Sequence, residues 1–204
     1  NCRKWLSKNN GINIMNIIIF EDSKVKNLEP FSINHASFEI KCGVYSNLDR
    51  ITDCFKESDN FYLIVRDELK DLIQERFTKY KVNPVNIPEG LYLNGSAVWD
   101  SKLLKKIQKE NSFSLNGELI SYKNPQKISF KDFQNTIDQI KNISNDIDVN
   151  YISYQWDCID LFKSLIELDK LKFKHNKLVV NKDSIWENNS KNIFTHKSTI
   201  IEPG

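Results

Sequence analysis

Short runs of apolar residues alternate with amphipathic segments through the first half of the chain. The runs at 15–20 and 61–65 are rich in branched and aromatic residues, which is typical of strands buried on both faces of a parallel sheet. Each run is followed by a segment that predicts a helix, because its apolar residues recur every three or four positions. Gly43 opens the first helix, and the second covers 67–77. The apolar stripe of the first helix consists of Val44, Leu48, Ile51 and Phe55.

The middle of the chain continues this pattern with shorter elements. Residues 23–42 have mixed polarity and predict a long loop with a short extended piece at 38–40. The Asn116-Gly117 pair between apolar segments predicts a hairpin over 113–122. The other predicted elements are an edge strand over 82–87, a strand over 91–93 that ends at Asn94 and Gly95, and a helix from its cap Asp100 to Ile107.

Two longer amphipathic segments predict helices in the second half. Ser129 and Asp132 have the spacing of a capping box and precede one of them. Asp157 starts the other, whose predicted inward residues are Ile159, Phe162, Leu165, Ile166 and Leu168. The order of strands and helices as a whole predicts an α/β fold with a doubly wound, mostly parallel sheet and helices on both faces.

Composition and charge narrow the functional classes. The 29 basic and 27 acidic residues are interspersed and give a net charge of +2, so no basic patch indicates a nucleic-acid partner. The longest apolar run, 17–20, is far too short to span a bilayer, so no membrane association is expected. The four cysteines form no C-x-x-C pair, which favours reduced thiols in a cytoplasmic protein over a disulfide framework or a metal site. They are Cys2, Cys42, Cys54 and Cys158.

The predicted sheet also indicates where a ligand would bind. In open α/β sheets, ligands bind outside the carboxyl ends of the parallel strands. The polar residues and glycine expected at that edge are Glu21, Asp22, Arg66, Asn94 and Gly95.

Several segments, in the same order along the chain, resemble one enzyme family. They are Asn16 to Asp22, Leu28 to Phe31, Phe38 to Gly43, Tyr92 to Gly95 and Tyr154 to Ile159. Together they resemble sugar-1-phosphate nucleotidyltransferase domains related to the amino-terminal domain of the bifunctional N-acetylglucosamine-1-phosphate uridyltransferase. Residues 192–204 resemble the first turn of the left-handed β-helix that follows such domains.

The resemblance implies three regions in the chain. These are a lead-in over 1–14, a nucleotidyltransferase-like α/β domain over 15–185, and the start of a truncated left-handed β-helix over 186–204. In such proteins the β-helix is commonly trimeric and carries an acyltransferase in some members. A homotrimer formed through the missing part is therefore compatible with the resemblance.

The reaction implied is attack of a sugar-1-phosphate on the α-phosphate of a nucleoside triphosphate, which releases pyrophosphate and forms a nucleotide sugar. Such chemistry depends on positioning, on Mg²⁺ and on cationic side chains. The predicted catalytic residues are Lys41 and His35, and the predicted metal ligand is Asp100. The predicted nucleotide- or sugar-binding residues are Glu21, Asp22, Gly43, Asn94, Gly95, Trp156 and Asp157.

The chain also departs from the family pattern. Members commonly carry Thr-Arg-Pro where this chain has Asn34-His35-Ala36, and arginine where it has Lys41. The chain has no G-x-G sequence, so any phosphate cradle must differ from a glycine-rich loop. These departures leave two alternatives open: a degenerate domain that binds a sugar nucleotide or a protein partner without catalysis, and a structural domain that positions a β-helix acyltransferase.

Overall fold

A computed structural model describes residues 14–107, 111–142 and 144–170. Nine strands and five α-helices are formed by these residues. The strands are β1 (Asn16–Phe20), β2 (Asn60–Ile64), β3 (Lys81–Val82), β4 (Asn86–Ile87), β5 (Gly90–Asn94), β6 (Ser112–Leu115), β7 (Glu118–Asn124), β8 (Ile128–Ser129) and β9 (Asn145–Asp146). The helices are α1 (Asn47–Thr52), α2 (Lys70–Arg76), α3 (Ser101–Ile107), α4 (Phe133–Lys141) and α5 (Asp157–Lys170).

Seven strands form one mostly parallel sheet in the order β3-β2-β1-β5-β7-β6-β9. The first four are parallel to one another, β7 and β6 form an antiparallel hairpin beside β5, and β9 pairs in parallel with β6. Asn116 and Gly117 have positive φ angles of 50° and 79° at the hairpin tip, as the Asn-Gly pair predicts. The predicted α/β architecture is confirmed.

Alternate residues of β1 enter two different cores, which places helices on both faces of the sheet. Ile17 and Ile19 pack in a cluster with residues of α1, α2 and α3. Ile18 and Phe20 pack in a second cluster with residues of α4. Because side chains alternate between the faces of a strand, the part of a strand that is covered on both sides must be apolar, as Ile17 to Phe20 are.

The connection from β1 to α1 differs from the prediction. The residues expected to form a loop with an extended piece contain two 3-10 helices, Ser23–Leu28 and Ser37–Glu39. The following helix does not begin at Gly43 but at Asn47, because Ser46 forms a capping box with Asp49. Val44 therefore lies outside the helix and is exposed, whereas the other three residues of the predicted stripe are buried.

The predicted edge strand over 82–87 is split into two. β3 extends the main sheet beside β2, and β4 leaves it to pair with β8 in a separate two-stranded sheet. Pro84 lies between the two pieces and has no N–H to continue a ladder, which accounts for the break. The helices predicted after Asp100 and after Ser129 are confirmed by α3 and α4.

The inward face predicted for α5 is partly wrong. Leu165 is buried, but Ile159 and Phe162 are exposed, with 75% and 54% of their surface accessible. Leu168 contacts the core as predicted and Leu161 contacts it as well, so the buried stripe follows the positions i, i+4 and i+7 counted from Leu161. The buried face of α5 is therefore rotated from the predicted one. Asp169 near the end of α5 fits this rotation, because it is buried and accepts a hydrogen bond from Arg50.

Two predicted regions lie outside the described residues. They are the lead-in over 1–14, apart from residue 14, and the β-helix start over 186–204.

Candidate functional site

The carboxyl ends of the parallel strands bring polar residues from distant parts of the chain together. Phe20 at the end of β1 is in register with Asn94 at the end of β5, and the Gly95 N–H donates to the Phe20 carbonyl at 2.8 Å. A Cβ atom at Gly95 would lie 2.8 Å from the Cβ of Phe38, so the close packing of this edge requires glycine. Glu21, Asp22, Asn94 and Gly95 are thus neighbours, as the sequence predicts.

Glu21 forms a buried ion pair with Arg66 at the end of β2. Its Oε1 accepts from Arg66 Nη1 at 2.8 Å and from the Ser37 N–H at 3.0 Å. Burial raises the pKa of the Glu21 carboxyl, while the charge of Arg66 and the hydrogen bonds oppose that rise. Arg66 also donates to the carbonyls of Ser32 and His35. This pair therefore fixes the loop of residues 32–35.

Asp22 accepts hydrogen bonds from three directions. Its Oδ1 accepts from the Lys24 N–H at 2.9 Å and its Oδ2 from Asn94 Nδ2 at 2.6 Å. The Tyr151 hydroxyl also donates to Oδ2. Burial and the nearby negative charge of Asp22 raise the pKa of Tyr151 well above its ordinary value, so its hydroxyl stays protonated and remains a donor. Asn94 is fully buried and aligns Asp22 with β7 by also donating to the Leu119 carbonyl at 2.9 Å.

A second carboxylate, Glu118, lies at the same edge of the sheet as Asp22. It lies at the start of β7, and Lys24 Nζ is 3.7 Å from its Oε1. Burial raises the pKa of the Glu118 carboxyl, and the negative charge of Asp22 raises it further. At the end of α4, Lys141 Nζ lies 2.9 Å from Asp138 Oδ1. This salt bridge, followed by the charges of Glu118 and Asp22, raises the pKa of Lys141. We name Asp22, Lys24, Glu118, Lys141 and Tyr151 the carboxyl-edge cluster.

A cavity of about 400 Å³ shares one wall with this cluster. Tyr151, whose hydroxyl contacts Asp22, lines the cavity together with Asn116, Asn150 and Tyr154. The ring of Tyr154 stacks on that of Trp156, with centroids 4.6 Å apart and planes 7° from parallel. The volume is in the range of small-molecule sites, and stacked aromatic rings beside amide side chains are suited to a sugar or a base.

The segment of residues 41–46, which we name the strap, carries the predicted phosphate position at Gly43. The Val44 N–H donates to Asp169 Oδ2 at 2.9 Å, and Arg50 Nη2 donates to the same oxygen at 2.7 Å. Gly43 has a φ of +86°, and a Cβ there would lie 2.7 Å from Asp169 Oδ2. A carboxylate of the chain itself thus occupies the place where a phosphate was expected, and a nucleotide contact of Gly43 stays a prediction.

The two residues predicted to be catalytic lie on the same β1–α1 connection. His35 is half-buried, and its carbonyl accepts from Arg66 at 3.4 Å. Lys41 is exposed and forms an isolated bridge with Ser46 that closes the strap. Their catalytic roles stay predictions.

The remaining predicted site residues lie at helix starts. Oδ1 of Asp100 accepts from the N–H groups of Lys102 and Leu103 at 2.9 and 2.7 Å, which caps α3. Asp157 Oδ2 accepts from the N–H groups of Ser153 and Tyr154, and Trp156 is exposed beside it. Asp100 and Asp157 have structural tasks, and their binding roles stay predictions.

Sequence reasoning missed four members of the carboxyl-edge cluster. Glu118 directly follows the Asn-Gly turn, so the predicted hairpin already located it at a strand start; the missing information was that β7 pairs with β5. Lys24 is two residues from Asp22 and could have been included with it. Tyr151 and Lys141 are more than a hundred residues from Asp22 in sequence, and no local signal links them to it.

The donor set of this edge fits a magnesium ion only with help from a substrate. Within residues 14–107, 111–142 and 144–170, no group of three or more His, Cys, Asp or Glu side chains could hold a metal. Mg²⁺ usually binds through one or two carboxylates together with substrate phosphates, and Asp22 and Glu118 supply such a pair. Their mutual repulsion, seen in the raised pKa of Glu118, would be relieved by a divalent cation.

Comparison with known families gives one match. A family model described as sugar nucleotidyl transferase matches residues 17–177, which is most of the chain and includes every member of the carboxyl-edge cluster. A comparison with curated proteins gives no match. Among the described residues, no helix is both long enough and apolar enough to cross a bilayer.

Proposed function

Because the chain belongs to the sugar nucleotidyl transferase family, we propose that it transfers a nucleotidyl group from a nucleoside triphosphate to a sugar 1-phosphate at the carboxyl-edge cluster. The family supports nucleotidyl transfer as the reaction class. The observation that carries the finer proposal is that two carboxylates, Asp22 and Glu118, lie with Lys24 at the ligand-binding edge of the sheet, and that their charges act on Lys141.

In the proposed reaction, an oxygen of the sugar phosphate forms a bond to the α-phosphorus of the triphosphate. The bond from that phosphorus to the bridging oxygen breaks, and pyrophosphate leaves. Lys24 and Lys141 would attract the phosphates and stabilise their charge, which is the main task of the protein in such transfers. Mg²⁺, held by Asp22 and Glu118, would neutralise phosphate charge.

The same edge of the sheet offers a position for the sugar or the base of the substrates. The cavity behind Tyr151 is proposed to accept the sugar or the base, with the Tyr154 ring as a stacking surface and Asn116 and Asn150 as hydrogen-bonding groups. Lys41 and His35 lie on the connection after β1. They stay candidates for side chains that donate hydrogen bonds to a substrate phosphate.

A second candidate is binding without catalysis, and a specific observation favours it. All three hydrogen bonds to Asp22 come from the protein, and the carboxylate of Asp169 occupies the cradle at Gly43. A degenerate domain would retain this closed network and bind a sugar nucleotide. Such a domain would bind ligand but would release no pyrophosphate.

Pyrophosphate release separates the two candidates. The full chain is incubated with Mg²⁺, one of UTP, dTTP, ATP, CTP or GTP, and a panel of sugar 1-phosphates. Catalysis predicts pyrophosphate that requires both substrates and Mg²⁺ and that is strongly reduced in Lys24→Met. No pyrophosphate with any combination, from protein that binds a nucleotide sugar in calorimetry, would instead establish the binding-only function.

A further inference from the structure

Cys42 and Cys158 are 116 residues apart in sequence and are in contact in the structure. The Cys42 thiol donates to the Cys158 carbonyl at 3.2 Å. Both side chains belong to one apolar cluster between the strap and α5, with Leu165 at its centre. The sequence offers no C-x-x-C spacing that would have suggested this pair.

We propose that Cys42 and Cys158 form a reversible disulfide, which makes this contact an oxidation site that cross-links the strap to the first turn of α5. The Cys42 sulfur lies 3.2 Å from the Cys158 carbonyl oxygen, and each thiol shifts the pKa of the other. Both side chains pack in one apolar cluster, and within the described residues no group of three or more His, Cys, Asp or Glu side chains could hold a metal there.

The two thiols are not equivalent, and this sets the order of the reaction. Cys42 is buried and Cys158 is half-buried, so a small oxidant reaches Cys158 first. The contact with Cys42 lowers the pKa of Cys158, whereas the contact with Cys158, followed by burial, raises the pKa of Cys42. Thiolate character and access therefore both favour Cys158 as the attacking sulfur.

The oxidant is a low-molecular-weight disulfide, and the exchange balances in two steps. The Cys158 thiolate attacks one sulfur of the oxidant, forms a mixed disulfide and releases one thiolate. Cys42 then loses its proton to that released thiolate and attacks the Cys158 sulfur, which expels the second thiolate. Two protein thiols are oxidised by two electrons, and one small disulfide is reduced to two thiols.

The neighbouring contacts explain why the cross-link would leave the fold intact. The strap is already fixed to the far end of α5 through the bond from Val44 to Asp169, and Arg50 holds the Cys42 carbonyl at 2.7 Å. The cross-link would thus join segments that are held together in the reduced protein. It would close a long loop of the unfolded chain, so the oxidised protein should unfold at a higher temperature.

The test uses the full chain and its third described cysteine as a matched control. Wild type, Cys42→Ser, Cys158→Ser and Cys54→Ser are incubated with oxidised glutathione, alkylated and analysed by peptide mass spectrometry. The expected result is a Cys42–Cys158 cross-linked peptide in wild type and Cys54→Ser. Cys42→Ser should stop at a glutathione adduct on Cys158, whereas Cys158→Ser should leave the buried Cys42 unmodified.

Two further readouts guard against misfolding of the variants. Dithiothreitol should restore both thiols in wild type, and the melting temperature should rise on oxidation and fall again on reduction. The proposal is overturned by any of three results in folded wild type: both thiols remaining alkylatable after oxidation, a glutathione adduct on Cys158 that does not resolve, or a cross-link between other cysteines.

Discussion

The strap and the carboxyl-edge cluster both bring carboxylates and cations together, but they do so in different surroundings. At the strap, Arg50 of α1 and Asp169 of α5 are almost fully buried, and the Asp169 carboxylate is bonded both to Arg50 and to the N–H of Val44 in the strap. In the carboxyl-edge cluster, the negative charge of Asp22 acts on the partly buried Glu118, and Lys24 is 32% exposed. The first region is filled by the chain's own charges, whereas the second has charge that a ligand could still neutralise.

This difference assigns separate tasks to the two regions. A buried ion pair with short, direct bonds is a structural contact, and breaking it leaves an unpaired charge in the core. A partly exposed pair of like charges is destabilising by itself, and such arrangements occur where a substrate or metal completes the site. The following experiments test that separation, beginning with the largest expected effect.

Arg50→Met should be the most destabilising of these changes. It leaves the carboxylate of Asp169 buried and unpaired, so the free energy of unfolding should fall by about 3–5 kcal/mol. The matched control is Lys170→Met, which removes the exposed pair with Glu167 and should cost less than about 1 kcal/mol. Urea denaturation measures both. Equal losses in the two variants would remove the structural role assigned to the strap.

Asp22→Asn should have its main effect on activity. The substitution keeps the size of the side chain but removes its negative charge, so the rate of pyrophosphate release should fall on the order of 10²-fold. Asp71→Asn, the same change at an exposed site on α2, is the control and should leave the rate unchanged. Asp100→Asn compares the two candidate metal ligands: a larger loss there than in Asp22→Asn would favour Asp100 as the ligand.

Gly43→Ala should be more harmful than Gly117→Ala. Both glycines have positive φ angles, so alanine costs about 1–2 kcal/mol of backbone strain at either position. A Cβ at Gly43 would also lie 2.7 Å from Asp169, whereas one at Gly117 has nothing within 4 Å. The unfolding free energy should therefore fall by about 1–3 kcal/mol more in Gly43→Ala. A smaller loss in Gly43→Ala than in the hairpin variant would contradict the close packing of the strap.

The smallest effect is expected at Glu118 and depends on pH. Because the pKa of Glu118 in the folded protein is raised above its ordinary value of 4.5, the folded state binds this proton more tightly than the unfolded state does. Its contribution to stability therefore falls as the pH rises through that raised pKa. Glu118→Gln should gain less than about 1 kcal/mol at neutral pH, because the side chain is only partly buried, and should gain nothing well below pH 4.5.

The measurement for Glu118 is the unfolding free energy of wild type and Glu118→Gln in urea at several pH values. Glu167→Gln, an exposed glutamate on α5, serves as the control. Loss of stability in Glu118→Gln at neutral pH would show that the carboxylate is stabilised rather than strained in the folded protein.

Patterns within single elements predicted much of the fold and part of the site. The apolar run of β1 and the Asn-Gly turn gave the sheet and the hairpin correctly, because these signals depend on neighbours in sequence. Glu21, Asp22 and Asn94 were located correctly at one edge, because parallel strands end together.

What the sequence did not predict depends on contacts between distant segments. The spacing of Ile159 and Phe162 suits a helix face, but their exposure follows from how Leu165 and Asp169 dock α5 on the strap. Glu118 joined the site only because β7 pairs with β5, and Cys42 met Cys158 only because α5 lies along the strap. No local pattern encodes these pairings.

The most direct test of the account is a calorimetric titration of nucleoside triphosphates into the full chain with and without Mg²⁺. The account predicts that at least one triphosphate binds wild type in a Mg²⁺-dependent manner, and that Asp22→Asn weakens this binding at least about tenfold while Asp71→Asn does not. Binding that Asp22→Asn leaves unchanged, or no binding of any triphosphate to folded wild type, would contradict the assignment of the carboxyl-edge cluster as the nucleotide site.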